Sequence, residues 1–220
     1  MSIAIDGPAG AGKSTIAKKV AKELGYIYVD TGALYRTVAL FMIQNKININ
    51  DENEVNKALD RIDISMKYED GIQNIYLNKE NVNSLIRTIE VSKIASKTST
   101  YKKVREKLLF LQKDIAKKNK VVMDGRDIGT VILPNADLKI FLTASAKVRG
   151  ERRYKEIIER DERADLQSII EDIEKRDEQD KNRAISPLRK ANDAIEIDSS
   201  YMTIDAVSYT HLTLPTKRIV

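Results

Sequence analysis

The segment Gly7-Pro8-Ala9-Gly10-Ala11-Gly12-Lys13-Ser14 constrains this chain more than any other. It matches G-x-x-x-x-G-K-[ST] in full and lies between an apolar run, Ile3 to Asp6, and a helical stretch, Lys13 to Leu24. Small residues in such a loop let backbone N–H groups turn inward around phosphate oxygens, and the helix that follows offers the same anion the positive end of its dipole. Lys13 then brings charge to the β- and γ-phosphates of a nucleoside triphosphate and the Ser14 hydroxyl ligates Mg²⁺, with Thr15 next on the helix. A second strand, Tyr26 to Asp30, and a second helix, Ala33 to Gln44, continue the rhythm. Strands and helices that alternate in this way predict a parallel sheet with helices on its faces.

From Asn48 to Asn83 the pattern changes to Ile62 to Tyr68, the turn Glu69-Asp70-Gly71, and Ile72 to Leu77, which reads as an antiparallel hairpin inserted in the α/β core. It is equally a decorative surface insert or a binding element. Helical pattern returns over Arg87 to Ala95 and Tyr101 to Lys118, then strands over Val121 to Asp124 and Leu138 to Leu142. Two charged helices, Lys147 to Glu162 and Leu166 to Arg183, break near Arg163-Ala164-Asp165, and a last strand, Ala194 to Ile197, completes a sheet of about five strands.

Asp124 ends an apolar strand, where a carboxylate either reaches the metal or orients the neighbouring loops. Guanine-reading signals are missing. Asn78-Lys79-Glu80-Asn81 departs from N-K-x-D at the residue that reads the base, and no aspartate has a glycine three residues on. A GTPase is therefore disfavoured.

Composition closes off other chemistries. The chain has no cysteine and a single histidine, His211, so thiolate nucleophiles, disulfides and histidine zinc clusters fall away. No apolar run approaches the roughly 20 residues of a membrane span, and the first residues lack a basic and apolar leader, so the expectation is a cytoplasmic protein with no membrane partner. A net charge of +5 suits anionic partners, but with aromatics at 5% and no tryptophan there is little to stack on bases, which argues against a nucleic-acid-binding ATPase.

Transfer between two phosphates requires arginines that offset their repulsion, and the guanidinium fork suits that task. They occur in Asp30-Thr31-Gly32-Ala33-Leu34-Tyr35-Arg36, in Gly125-Arg126-Asp127-Ile128-Gly129-Thr130, and in Arg176-Asp177-Glu178-Gln179-Asp180-Lys181-Asn182-Arg183. Together with Asp6-Gly7-Pro8, Ile86-Arg87-Thr88, Val104-Arg105-Glu106 and Ser186-Pro187-Leu188, in this order from Met1 to about Ile204, the chain resembles the bacterial cytidylate kinases. The resemblance implies a three-layer P-loop fold with a nucleoside-monophosphate insert over about 46–85, a short helical lid over about 147–165, and a core of 1–45 and 86–205. It implies transfer of the γ-phosphoryl group of ATP to CMP, and to dCMP, with Mg²⁺, by a monomer. Within it Arg36, Arg126 and Arg183 hold the acceptor phosphate, Asp30 and Thr31 line the same site, and Ser96, Arg105 and Asp127 read cytosine. Asp180 takes the ribose hydroxyls with support from Arg176, and Arg152 and Arg153 close over the transferring group. On residue type alone, Arg36, Arg152, Arg153 and Arg176 are equally surface ion pairs of small energy. Residues 206–220 depart from the family: they are poor in helix formers, carry Pro215, and read as non-native.

Overall fold

The computed structural model of the chain describes residues 1–69, 72–159 and 163–202. Its elements run β1 Ser2–Asp6, α1 Lys13–Leu24, β2 Ile27–Asp30, α2 Thr31–Gln44, α3 Glu52–Leu59, β3 Ile64–Glu69, β4 Ile72–Leu77 and β5 Glu80–Asn81. A 3₁₀ turn, Leu85–Arg87, leads to α4 Ile89–Thr98, α5 Lys102–Lys118 and β6 Val121–Gly125; a π turn, Ile128–Ile132, leads to β7 Leu138–Thr143, α6 Ala146–Ile158, α7 Leu166–Asn182 and β8 Ile195–Asp198. The larger sheet has five strands in the order β2-β6-β1-β7-β8, and the smaller has three, β3-β4-β5. The expected mixed α/β fold, with a parallel sheet of five strands and an antiparallel insert, is what the chain adopts.

The chain divides into two compact units, one formed by residues 1–26 and 121 onward, the other by Ile27–Lys120. In the first, β1 pairs in parallel with β6 and with β7, and β7 with β8, so Ile5 stands opposite both Asp124 and Ile140. The strands are short and apolar on both faces: Ile3, Ile5, Val121, Val122, Met123, Ile140 and Leu142 are all buried. This is the signature of a parallel sheet covered on both sides. Parallel register brings Asp6, Gly125 and Thr143 to carboxyl-terminal strand ends, the edge where open α/β sheets bind ligands.

The second unit has its own core, in which Leu34, Val38 and Met42 of α2 pack with Val55 of α3, Ile75 of β4, Ile86, and Val104 and Leu108 of α5. Each of the larger side chains contributes roughly 1.5–3 kcal/mol by leaving water. The predicted hairpin is present as β3 and β4, registered from Ile64 opposite Leu77 to Glu69 opposite Ile72. Its turn residues Asp70 and Gly71 lie outside the described residues. So do residues 160–162, within the expected lid, and residues 203–220, which include the whole segment 206–220.

Two local differences from the sequence reading have simple causes. Helix α3 is absent from that reading, although Asp51 caps it by accepting from the N–H groups of Asn53 and Glu54 and Val55, Ala58 and Leu59 are buried at helical spacing, because eight residues fall short of the window over which such spacing is read. The helix expected from Arg87 instead starts at Ile89, because extended Thr88 interrupts it and accepts from the Val91 N–H through its hydroxyl.

Candidate active site

Backbone geometry comes first in the phosphate loop. Gly7 has φ +147°, and a Cβ there would sit 1.9 Å from the Leu142 carbonyl oxygen, so only glycine passes between β1 and β7. Lys13 opens α1 and is buried, with its ammonium donating to the Pro8 carbonyl at 2.6 Å. Burial, followed by the Arg126 guanidinium, holds its pKa well below the ordinary lysine range, while Asp124, Asp6 and Asp180 oppose the shift. A triphosphate in the loop would replace the lost solvation. The exposed Ser14 hydroxyl donates to Asp124 Oδ2 at 2.9 Å, so the two predicted metal-site residues meet across the end of β6. Two hard oxygen donors fit Mg²⁺, which takes one or two protein oxygens and completes its shell with phosphate and water. Among the described residues no group of three or more His, Cys, Asp or Glu could hold a metal without that help.

Asp6 carries no role in the sequence reading beyond its place in a motif. Its two carboxylate oxygens accept from the N–H groups of Ile128 and Gly129, at 2.8 and 2.7 Å, and so fix the loop that carries Arg126 and Asp127. Burial raises its pKa to about 6 against those two hydrogen bonds, with Asp127 adding to the rise and Lys13 opposing it. In that loop Arg126 donates through Nε to Asp180 Oδ2 at 2.8 Å. Arg183 lies 3.5 Å from Asp127 Oδ1 and 3.7 Å from Asp180 Oδ1, and donates through Nε to the Ser186 carbonyl at 2.6 Å. Burial alone would raise the Asp180 carboxyl, but Arg126, Arg176 and Arg183 together hold it below its ordinary value. Two motifs far apart in sequence therefore build one ion cluster from Arg126, Asp127, Arg176, Asp180 and Arg183.

Helix α6 separates the two predicted lid arginines. Arg152 donates to the Ser199 carbonyl at 2.7 Å, and the buried Ser199 hydroxyl lies 3.2 Å from the carbonyl of Ala11 in the phosphate loop. Arg153 pairs with exposed Glu156 at 3.1 Å. The most deeply held arginine of that helix is one the sequence reading did not single out. Arg149 donates to both oxygens of Asp177, to the Ala144 carbonyl and to the Ala9 carbonyl, and so ties α6 and α7 to the phosphate loop.

In the second unit, Asp30 caps α2, its Oδ1 accepting from the Ala33 N–H at 2.9 Å. Its Oδ2 takes Arg36 at 2.9 Å and lies 3.9 Å from Arg87. Gly32 makes room for this, since a Cβ there would stand 3.1 Å from the Arg36 guanidinium and 3.2 Å from Asp30 Oδ1. Thr31 is buried beside them as the first residue of α2. Arg105 is also buried; it donates to the Ser99 carbonyl at 3.2 Å and stacks on the Tyr35 ring at 5.4 Å. Ser99 in turn donates through its hydroxyl to the Ser96 carbonyl at 2.8 Å, which brings two of the predicted cytosine readers, Ser96 and Arg105, to one place. The third, Asp127, belongs to the other unit and is engaged there with Arg183.

The family model described as cytidylate kinase matches residues 3–215. The chain belongs to the cytidylate kinase family. It is 49% identical over 207 residues to a cytidylate kinase of Lactobacillus gasseri, covering 94% of this chain and 90% of the relative. It is 50% identical over 205 residues to one of Clostridioides difficile, covering 93% of each. Among solved structures, an uncharacterized protein from Eubacterium ventriosum shares the fold, with TM-score 0.52 and 15% identity over 97% of both chains. The family match extends into 206–215, part of the segment that reads as non-native.

Within this cytidylate kinase family member, the residues that sequence reasoning missed are partners rather than ligand groups. Asp6, Tyr35, Arg149, Asp177 and Ser199 act on backbone or on other side chains. Asp6, Tyr35 and Asp177 stand inside quoted motifs, which is the signal they offered, but the sequence holds nothing that points from Asp177 to Arg149.

Proposed function

We propose that this chain transfers the γ-phosphoryl group of ATP to CMP, giving ADP and CDP, and that it also accepts dCMP. The observation that carries the reading is the family match, together with a phosphate loop built around a buried Lys13. Gly7 to Thr15 hold the ATP phosphates, and Lys13 follows the transferring group. Ser14 with Asp124 would hold Mg²⁺, which would supply charge neutralisation on the phosphate oxygens. The acceptor phosphate falls to Arg36, Arg126 and Arg183, with Asp30 and Thr31 beside Arg36. Ser96, Arg105 and Asp127 read cytosine, and Asp180 with Arg176 takes the ribose. Arg152 and Arg153 are assigned to the transferring group, which requires Arg152 to leave the Ser199 carbonyl and Arg153 to leave Glu156. The CMP phosphate is already an anion, so no general base is needed, and positioning with charge stabilisation carries the rate.

Among the described residues no helix is long and apolar enough to cross a membrane. The same reading makes the enzyme a cytoplasmic monomer. A coupled ADP-release assay with CMP, dCMP, UMP, AMP and shikimate tests the assignment. CMP and dCMP should exceed UMP by about 10²-fold in kcat/KM, because uracil sets acceptor against the Asp127 carboxylate and donor against Arg105. A preference for AMP or shikimate would overturn it.

A further inference from the structure

The hairpin insert touches the acceptor side of the proposed site at Asp30. Gln73 of β4 accepts through Oε1 from the backbone N–H of Asp30 at 2.9 Å. The orientation of this amide is fixed by chemistry, because a backbone N–H only donates and so faces the oxygen. Asp30 is the residue whose carboxylate caps α2 through Ala33 and holds Arg36, with Arg87 close by. Its backbone and its side chain are thus fixed by different partners, and the backbone partner comes from the insert.

Gln73 is itself held in place. Its carbonyl accepts from the Asn83 side chain at 3.0 Å, and the same amide returns a bond by accepting from the Ile75 N–H at 3.0 Å. Asn83 stands four residues before Arg87, so the amide that fixes Gln73 also ties the hairpin to the turn carrying the second cation near Asp30. A second anchor lies on the neighbouring strand, where the half-buried Tyr68 hydroxyl is 3.1 Å from the Tyr28 carbonyl, two residues before Asp30. The hairpin thus grips the end of β2 at both a carbonyl and an N–H.

We propose that Gln73 is a positioning residue for the acceptor phosphate, acting through Asp30 on the guanidinium of Arg36. The inference rests on the assignment of Arg36 to that phosphate. It gives the insert a task that is neither decoration nor direct ligand contact: it sets where the acceptor-side cation stands. One neutral hydrogen bond corresponds to roughly a threefold to tenfold change in an equilibrium constant.

The test uses Gln73→Met, which keeps the length and removes the acceptor, beside Arg36→Met and the double variant. Steady-state kinetics are varied separately in CMP and ATP, and thermal melting is followed for each protein. Gln73→Met should raise KM for CMP about threefold to tenfold and leave KM for ATP within twofold. The double variant should be no worse than Arg36→Met alone, because Gln73 acts only through that arginine. Should Gln73→Met not fold, Gln73→Asn, whose oxygen falls one methylene short, gives the same selective rise. A raised KM for CMP in Arg36→Met beside an unchanged value in Gln73→Met overturns the inference alone. An unchanged value in Arg36→Met overturns the role of Arg36 and the inference with it. Equal losses toward CMP and ATP would make Gln73 a purely structural residue and also overturn it.

Discussion

A lysine enclosed by protein holds its proton only as firmly as its neighbours allow, and Lys13 has a guanidinium for one of them. Burial and Arg126 lower its pKa, while the carboxylates of Asp124, Asp6 and Asp180 resist. A triphosphate in the loop reverses the balance, since it brings several negative charges to the ammonium. ATP binding should therefore take up protons in mildly alkaline buffer. Calorimetry in two buffers of different ionisation heat would read the uptake as a difference in apparent enthalpy, and equal enthalpies would refute it. Lys13→Ala should lower kcat by at least about 10²-fold, because the charge follows the developing transition state, while CMP affinity changes little. Wild-type turnover in that variant would remove Lys13 from the chemistry.

Helices α6 and α7 are joined by a pair that neither helix needs for its own stability. Both caps are local: the Ser145 hydroxyl accepts from Val148, and Asp165 accepts from Ser168. The Arg149–Asp177 pair is different in kind, being buried and bidentate, with the spare donors of the guanidinium spent on two carbonyls. Breaking one side of such a pair strands a charge and costs about 3–5 kcal/mol, whereas removing both sides costs much less than the sum. A double-mutant cycle of Arg149→Met and Asp177→Leu by urea denaturation should thus give a coupling of at least about 1.5 kcal/mol. The Arg149 variant should also raise KM for ATP, since the Ala9 carbonyl of the phosphate loop loses its donor. Additive losses in the cycle would show that the two side chains act independently.

Across the whole molecule, folding stability depends on pH through groups whose protonation differs between folded and unfolded chains. Asp6, raised to about 6 by burial, binds its proton more tightly when folded. Its contribution is complete below the ordinary aspartate value of 3.8 and is lost as pH rises through about 6. Asp180, lowered by Arg126, Arg176 and Arg183 despite its burial, contributes above its ordinary value and is lost as pH falls further. Asp6→Asn removes only the first of these. The amide cannot ionise, so its stability relative to the parent should improve by about 2 kcal/mol between pH 4 and pH 7. The fixed penalty of an amide donor facing the Ile128 or Gly129 N–H shifts the curve without changing that slope. A relative stability flat across this range would mean that Asp6 titrates normally.

The features legible in the chain alone were local ones. The phosphate loop, the strands that end at Asp6 and Asp124 and the hairpin could be read because glycine spacing, apolar runs and period-two alternation act over a few residues. The ligand-facing candidates were legible for the same reason, being grouped in short motifs such as Gly125 to Thr130. Which carboxylate answers which cation was settled by folding. Arg126 meets Asp180, Arg149 meets Asp177 and Gln73 meets the Asp30 N–H across separations of 54, 28 and 43 residues. No periodicity spans such distances. Ion pairs and buried amides are selected by where packing brings chain segments together, and their stability comes from exclusion of water, which a residue's neighbours in sequence do not report.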